Sequence, residues 1–433
     1  MPAKAQTYKG MKDYLPGDMR LRQYIISTLT AVATRYGFEP MQTPIVEYED
    51  TIAGKLGDDE KLIYRLQYGD DRLALRYDQT VSLARVIAQY PNEITLPFRR
   101  WAVGPSYRGE RQQRGRFREF YQFDLDTVGA GGPLADAEII AVISEALQAL
   151  GFRGFRVLLN NREILSALAR VVGVDEAAAG GVYRAIDKFD KIGAQGVREQ
   201  LLQGGIAAEA AEEIIRFTQL DGPTAEVLEA VAAQLGSDAR GAAAVQELRA
   251  VVGYLQDLGI DPATYDVAPR LARGLSYYTG TVFEAVIEQP PIGSLLGGGR
   301  YDNLIGTFAD RAVPTVGTAF GIERLQIVMT ELGLGPQSQG AVTAYVTIFS
   351  AELAGEALRL ASELRRAGIA TITALAPDKL GKQLKEAAVK TIPFALIVGP
   401  DELAKGEVVV RDLRSGEQRN VRREAVVGAV GGT

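Results

Sequence analysis

A chain of 433 residues, 47% hydrophobic and 24% charged, has the make-up of a globular protein, yet it is too long for one core. At roughly 150 residues per domain, two or three domains are expected. The formal net charge of −6 argues against sequence-blind coating of nucleic acid and leaves a local basic surface open. With no cysteine and no histidine, disulfides, thiolate nucleophiles, Cys-type zinc sites and imidazole bases are excluded, so chemistry has to run on Arg, Lys, Asp, Glu, Tyr and the substrate's own groups.

The opening "MPAKAQTYKGMKDYLPGD" has no apolar core like that of a signal peptide. No run approaches the roughly 20 apolar residues of a membrane helix, so a cytoplasmic protein without a membrane partner is expected. From Tyr24 to Phe38 apolar residues recur at helical spacing, Gly37 stands where the helix would stop, and a strand-like "MQTPIVEYED" follows. "LALRYDQTVSLARVIA" puts Asp78 and Thr80 at a strand-to-helix junction, where such residues most often serve as helix caps. Up to about residue 155 short strands and helices alternate, whereas between about 160 and 260 the composition shifts to Ala, Glu, Leu and Gly with helical periodicity, which reads as a helical insertion.

Strand character returns at "YYTGTVFEAVIEQ", and the Gly-rich "GSLLGGGRYDNL" reads as a tight turn before an amphipathic helix from Ile322 to about Leu332. "LGLGPQSQGA" (Leu332 to Ala341) is a linker by composition. Beyond it the order β, α, β, α, β and then a hairpin describes a small α/β domain of about 90 residues. Its "DKLGKQLKEAAVK" carries Lys379, Lys382, Lys385 and Lys390 on or near one helix, as a solvated face or as an RNA contact.

The densest chemistry lies in "FRRWAVGPSYR" (Phe98 to Arg108) and "RFREFYQFDLD" (Arg116 to Asp126), two strands joined by "GERQQRG". Period-two alternation puts Arg116, Arg118, Phe120, Gln122, Asp124 and Asp126 on one polar face, beside Ala102, Gly104, Ser106 and Arg108 of the first strand. Such a face is either the wet side of an antiparallel sheet or a ligand floor. Arginines gather toward the turn, acids toward the other end, and Phe120 lies between them. A ligand with phosphates, a flat ring and a cationic group matches that gradient, as ATP plus an amino acid would. Two further arginines stand out: Arg273, before Gly274 in "LARGLSYYTGTVFEAV", and Arg324, beside Glu323 at the helix start in "VGTAFGIERL". Gly321 just ahead of that helix leaves room for backbone to approach an anion.

Together and in this order the segments resemble the class II aminoacyl-tRNA synthetases, and among them the histidyl-tRNA synthetase family. "KGMKDYLPGD" is similar to that family's opening, "MQTPIVEYED" to its first class motif, the hairpin to its second and "VGTAFGIERL" to its third, with "ARGLSYYTGTVFE" and "GGGRYDNL" similar to the two histidyl signatures. "LRYDQT" and "REFYQFDLD" lean toward the archaeal and eukaryotic form. The resemblance implies an α/β (α+β) fold. Its parts would be an antiparallel-sheet catalytic domain over residues 1–332 with the helical insertion, a linker at 333–341, and an anticodon-binding α/β domain over 342–433. It implies activation of L-histidine with ATP and Mg²⁺, transfer to tRNA(His), and a homodimer. The other reading of the same fold is a synthetase-like regulatory subunit of ATP phosphoribosyltransferase.

Carried over by position, Arg108 and Arg324 would hold ATP phosphates, Glu110 and Arg116 would position the nucleotide, and Phe120 would stack on adenine. Asp78, Thr80 and Gln122 would receive the α-amino group, and Asp126 and Tyr278 would read the imidazole nitrogens, with Tyr277 and Tyr301 completing the histidine site. Arg108 and Arg273 would be the catalytic pair, Arg273 bridging the substrate carboxylate and the α-phosphate. The metal ligands stay unassigned. Ser276 stands where the family more often has Asp, and Gly109 and Gln112 stand where the bacterial form has His and Pro.

Overall fold

The computed structural model describes residues 4–55, 57–272, 277–336 and 342–431, and the chain divides into two compact units, Met1–Gly335 and Pro336–Thr433. In the first unit α1 (Pro16–Arg35) leads through β1 (Glu39–Pro40) and β2 (Val46–Tyr48) to the single turn α2 (Glu49–Ile52). Then come β3 (Arg65–Tyr68), β4 (Asp71–Leu75), α3 (Thr80–Gln89), β5 (Phe98–Tyr107), β6 (Glu119–Val128), α4 (Pro133–Ala149) and β7 (Phe155–Asn161). The helices α5 (Arg162–Val171), α6 (Glu176–Ile186), α7 (Phe189–Gln203), α8 (Ala208–Thr218), α9 (Thr224–Leu235) and α10 (Ala239–Asp257) follow without an intervening strand. The unit closes with β8 (Tyr265–Val267), β9 (Thr281–Ile287), β10 (Ser294–Arg300), β11 (Thr315–Gly321) and α11 (Ile322–Glu331).

Local chemistry explains several boundaries. Pro16 and Pro133 start α1 and α4, where a missing N–H costs nothing. Asn161 and Asp238 cap α5 and α10 by accepting from the N–H groups of Glu163 and Gly241. Gly37, at φ +76°, lets the chain leave α1 in the left-handed region.

The main sheet runs β1-β5-β6-β11-β10-β9-β7-β8, antiparallel from β5 to β7 and parallel at its two outer pairs. One face is apolar. Phe123 and Leu125 of β6 pack with Ile25 and Leu29 of α1, Ile139 and Ile143 of α4, and Leu325 and Met329 of α11 in one continuous core. Each such side chain contributes about 1.5–3 kcal/mol on burial. Trp101 stacks on Phe123 at 5.5 Å between centroids. A small sheet, β2-β4-β3, stands apart from this one.

Three expectations change. The "MQTPIVEYED" stretch holds only the three-residue β2 before it turns into α2. The second hairpin strand begins at Glu119, so Arg116 and Arg118 precede it, and it extends past Asp126 to Val128. "GGGR" lies within β10 instead of a turn, because its glycines allow neighbours to approach closely: a Cβ on Gly298 would overlap the Gly317 carbonyl and the Phe283 ring. The first residues of the expected linker pack on the core, with Leu334 against it and Gly335 near Leu21. Residues 337–341 lie outside the described residues.

The second unit contains β12 (Ala344–Val346), α12 (Ala354–Arg366), β13 (Thr371–Thr373), α13 (Leu380–Val389), β14 (Phe394–Ile397), α14 (Pro400–Lys405), β15 (Glu407–Asp412), β16 (Gln418–Arg422) and α15 (Val426–Gly431). Its sheet, β13-β12-β14-β15-β16, is parallel on one side of β14 and antiparallel on the other, around a core of its own. Of the four lysines singled out, Lys382 pairs with Asp378 and Lys390 with Glu386, which offsets part of the positive charge. Among the described residues no helix is long and apolar enough to cross a membrane.

Candidate active site

The second face of β5 and β6 is buried and polar. Register places Arg100 opposite Asp126, Ala102 opposite Asp124, Gly104 opposite Gln122 and Ser106 opposite Phe120. Gln122, Asp124 and Asp126 are all buried, the last two only 1% and 2% exposed, which rejects the wet-face reading. Among the described residues Ser106 Oγ, Gln122 Oε1, Asp124 Oδ1 and Asp126 Oδ2 have no hydrogen-bond partner. Orphans of that kind cost about 1–3 kcal/mol each, and their clustering on one floor is what a polar ligand would relieve.

At the acidic end Tyr301 donates its hydroxyl to Asp126 Oδ1, and Arg100 Nη2 lies 2.9 Å from Asp126 Oδ2 and 3.8 Å from Asp124 Oδ2. The Tyr277 ring packs against Tyr278 and Tyr301 at 5.0 and 5.8 Å, and its hydroxyl sits 3.5 Å from Asp78 Oδ2. Asp78 Oδ1 accepts from the N–H groups of Thr80 and Val81, each at 3.0 Å. Asp78, just ahead of the α3 N-cap Gln79, thus satisfies first-turn N–H groups of α3 through one oxygen while the other faces the Tyr277 hydroxyl.

Glycines bring backbone under these side chains: a Cβ on Gly317 would overlap Asp126 Oδ1, and one on Gly104 would overlap the Arg76 guanidinium. Arg76, held by the carbonyls of Pro105 and Thr43, roofs the floor beside Gln79. Gln79 in turn donates to the Gln122 carbonyl at 3.2 Å.

Toward the hairpin tip the charge reverses. Arg108 donates to the Tyr77 carbonyl at 3.3 Å and lies 4.2 Å from the Tyr77 ring and 5.0 Å from the Phe120 ring. Arg116 pairs with Glu110 at 3.2 Å, and Arg324 donates to the Gly115 carbonyl at 3.4 Å and to Ser294. The tip and the start of α11 therefore meet.

Glu323 points elsewhere. It accepts from the Tyr121 N–H and pairs with buried Arg22 at 2.7 Å, while Arg22 lies over the rings of Tyr14 and Tyr121. It fastens β6 and the opening segment to α11 instead of facing a ligand. Arg118 is likewise engaged by Tyr8, Lys9 and the Glu110 carbonyl. Arg273 and Ser276 lie outside the described residues.

Sequence reading missed Arg100, Arg76 and Gln79. For Arg100 the signal was present, because alternation along the first strand continues from Ala102 to Arg100 on the same face. Burial pushes the Asp124 carboxyl up to about 8, with Arg100 opposing and the Asp126 charge reinforcing the rise. Burial raises Asp126 too, against Arg100 and the Tyr301 hydroxyl. Asp124 Oδ1 and Asp126 Oδ2 both lack a hydrogen-bond partner among the described residues, but Asp126 is nearer the guanidinium and receives the tyrosine hydrogen, so the shared proton belongs on Asp124.

A raised carboxyl makes the folded protein the stronger proton binder. Its stability contribution is then complete below the ordinary carboxyl range and is lost as pH climbs to about 8. Melting temperatures from pH 5 to 9 should accordingly fall less steeply for Asp124→Asn than for the wild type, and parallel curves would place the titration elsewhere.

The chain matches the family described as Histidyl-tRNA synthetase over residues 10–325 and the Anticodon binding domain over residues 343–432. It is 39% identical to a histidine–tRNA ligase of Cytophaga hutchinsonii, over 97% of this chain and 98% of that protein. The chain belongs to the histidyl-tRNA synthetase family. A ligase of Gloeobacter violaceus is 37% identical over 96% of each chain. The crystal structure of histidyl-tRNA synthetase from Nostoc sp. PCC 7120 superposes with a TM-score of 0.88 at 32% identity, covering 99% of both chains.

A structure described as an ATP phosphoribosyltransferase regulatory subunit/histidyl-tRNA synthetase from Bacillus halodurans shares the fold, with a TM-score of 0.77 at 24% identity. The regulatory reading is not favoured, because the similarity to ligases runs over nearly the whole chain and includes the anticodon-binding domain. The leaning toward the archaeal and eukaryotic form is not borne out, since these histidyl-tRNA synthetase relatives are bacterial.

Proposed function

We propose that this chain, a histidine–tRNA ligase, forms histidyl-adenylate and transfers it to tRNA(His) without a side-chain base. The gradient of the hairpin floor carries the reading: carboxyls of Asp78, Asp124 and Asp126 at one end, guanidiniums of Arg108, Arg116 and Arg324 at the other, and the Phe120 ring between. Histidine would lie at the acidic end, its α-amino group toward Asp78, Thr80 and Gln122. Its ring would lie toward Asp126 and Tyr278, with Tyr277 and Tyr301 walling the pocket. ATP would lie toward the tip, with adenine on Phe120, Glu110 and Arg116 orienting the nucleotide, and Arg108 and Arg324 on the phosphates. Arg273 would bridge the reacting carboxylate and the α-phosphate.

The amino-acid carboxylate is already an ionised nucleophile, so the barrier is alignment plus charge on the phosphoryl oxygens, which fixed guanidiniums stabilise. No group of three or more metal-ligating side chains is assembled among the described residues. Mg²⁺ commonly binds through one or two carboxylates, waters and substrate phosphates, so it would enter with ATP and neutralise phosphate charge. A phosphate oxygen of the adenylate would accept the proton of the ribose hydroxyl in the transfer step.

Exposed Val46, Tyr48, Leu66 and Tyr68 on the small sheet give an apolar surface suited to the second copy of a homodimer. Work in the cytoplasm, where tRNA is charged, fits these substrates. The test is ATP–pyrophosphate exchange with each standard amino acid in turn. Histidine alone should support it, and exchange driven equally by another amino acid would overturn the pocket assignment.

A further inference from the structure

We propose that Arg100 is a positioning residue for the histidine side chain, acting through Asp126: it holds that carboxylate in one orientation and balances its charge inside the floor. This rests on the reading of the acidic end as the imidazole site.

Asp126 is held from two elements, with Oδ1 taking the Tyr301 hydrogen and Oδ2 in an ion pair with Arg100 Nη2 at 2.9 Å that lacks hydrogen-bond geometry. Arg100 is itself immobilised. It is 1% exposed, it faces Asp126 directly across the β5–β6 ladder, and its Nη2 donates to the Gln79 carbonyl at 3.2 Å. Gln79 also donates to the Gln122 carbonyl, so the start of α3, β5 and β6 are joined at this guanidinium. The position of Asp126 relative to the floor is therefore set by a three-element clamp in which Arg100 is the charged tie.

Charge makes the same point. Three carboxyls, Asp78, Asp124 and Asp126, face two guanidiniums, Arg76 and Arg100, in the buried cluster. With a proton already on Asp124, taking Arg100 away leaves the other two acids against one cation, an excess that a buried site relieves by further protonation. A protonated Asp126 would donate where it now accepts, and an imidazole N–H would lose its acceptor. Arg100 Nε lacks a hydrogen-bond partner among the described residues. A residue serving only the fold would be expected to have that buried donor satisfied.

The experiment is steady-state ATP–pyrophosphate exchange with Arg100→Lys, Arg100→Met, Asp126→Asn and the double variant Arg100→Lys/Asp126→Asn. Lysine keeps the charge and loses the planar fork. The KM for histidine should rise about tenfold or more in Arg100→Lys and further in Arg100→Met, as for loss of a charge-assisted contact. The KM for ATP and kcat at saturating histidine should stay within about threefold. Because Arg100 acts through Asp126, adding Arg100→Lys to Asp126→Asn should cost little more than Asp126→Asn alone.

Additive losses in the double variant, or equal rises in both KM values, would overturn the proposal in favour of a purely structural role. If Arg100→Met does not fold, the charge-conserving Lys variant and its cycle decide the matter. Absence of histidine-dependent exchange in the wild type would instead overturn the reading of the site itself.

Discussion

Replacing Arg108 by lysine should lower the adenylation rate by about two orders of magnitude, the loss typical of removing one preorganised donor from a developing anion. The guanidinium sits between the Tyr77 and Phe120 rings and is anchored to the Tyr77 carbonyl, a geometry that needs a flat, delocalised cation. A lysine ammonium keeps the charge but cannot stack in that slot or clamp two phosphate oxygens at once. Single-turnover formation of histidyl-adenylate, measured beside the melting temperature, checks the point. Near-normal formation by a folded Arg108→Lys protein would remove Arg108 from the chemistry.

A fragment ending at Pro336 should retain pyrophosphate exchange within a few fold while aminoacylation of tRNA(His) drops by an order of magnitude or more. The two units have separate hydrophobic cores, and every described residue assigned to adenylation belongs to the first. Losing phosphate contacts should also flatten the salt dependence of tRNA binding. Local pairing of Lys382 and Lys390 reduces what those side chains contribute, so the effect should arise from the unit as a whole and exceed that of neutralising the two lysines. Undiminished charging by the fragment would refute an anticodon role for the second unit.

The hairpin and the identity of its polar face were legible in the sequence because a two-residue period leaves little choice once both strands are aligned. What alternation cannot report is burial. The face that reads as solvated or ligand-bound turns out to be roofed by Arg76 and Gln79, which lie far from the hairpin in the sequence. Arg118 was counted among the phosphate-end arginines on parity alone, yet Tyr8 and Lys9 claim its guanidinium, a tertiary contact with no local signal. The triple glycine of β10 misled for a physical reason: glycine marks turns by its φ freedom, whereas these glycines matter for their missing side chains. Tyr301 became a candidate only through family resemblance, since nothing in its neighbourhood announces that its hydroxyl reaches Asp126.

The bare backbone beneath the pocket ties two kinds of selection together. Asp126 lies flat on Gly317, and a Cβ on Gly299 would come within 3.0 Å of the Tyr278 ring and still nearer the Thr281 carbonyl. The floor cannot sink further, because it has already been stripped to main chain. Over these glycines, a bulkier amino acid would have to be admitted by trimming Asp126 or Tyr278, the groups that would read the imidazole. On the proposed reading, the gauge for size and the reader of chemistry in this pocket would be the same atoms, so efforts to widen its diet should forfeit histidine before they gain a new substrate.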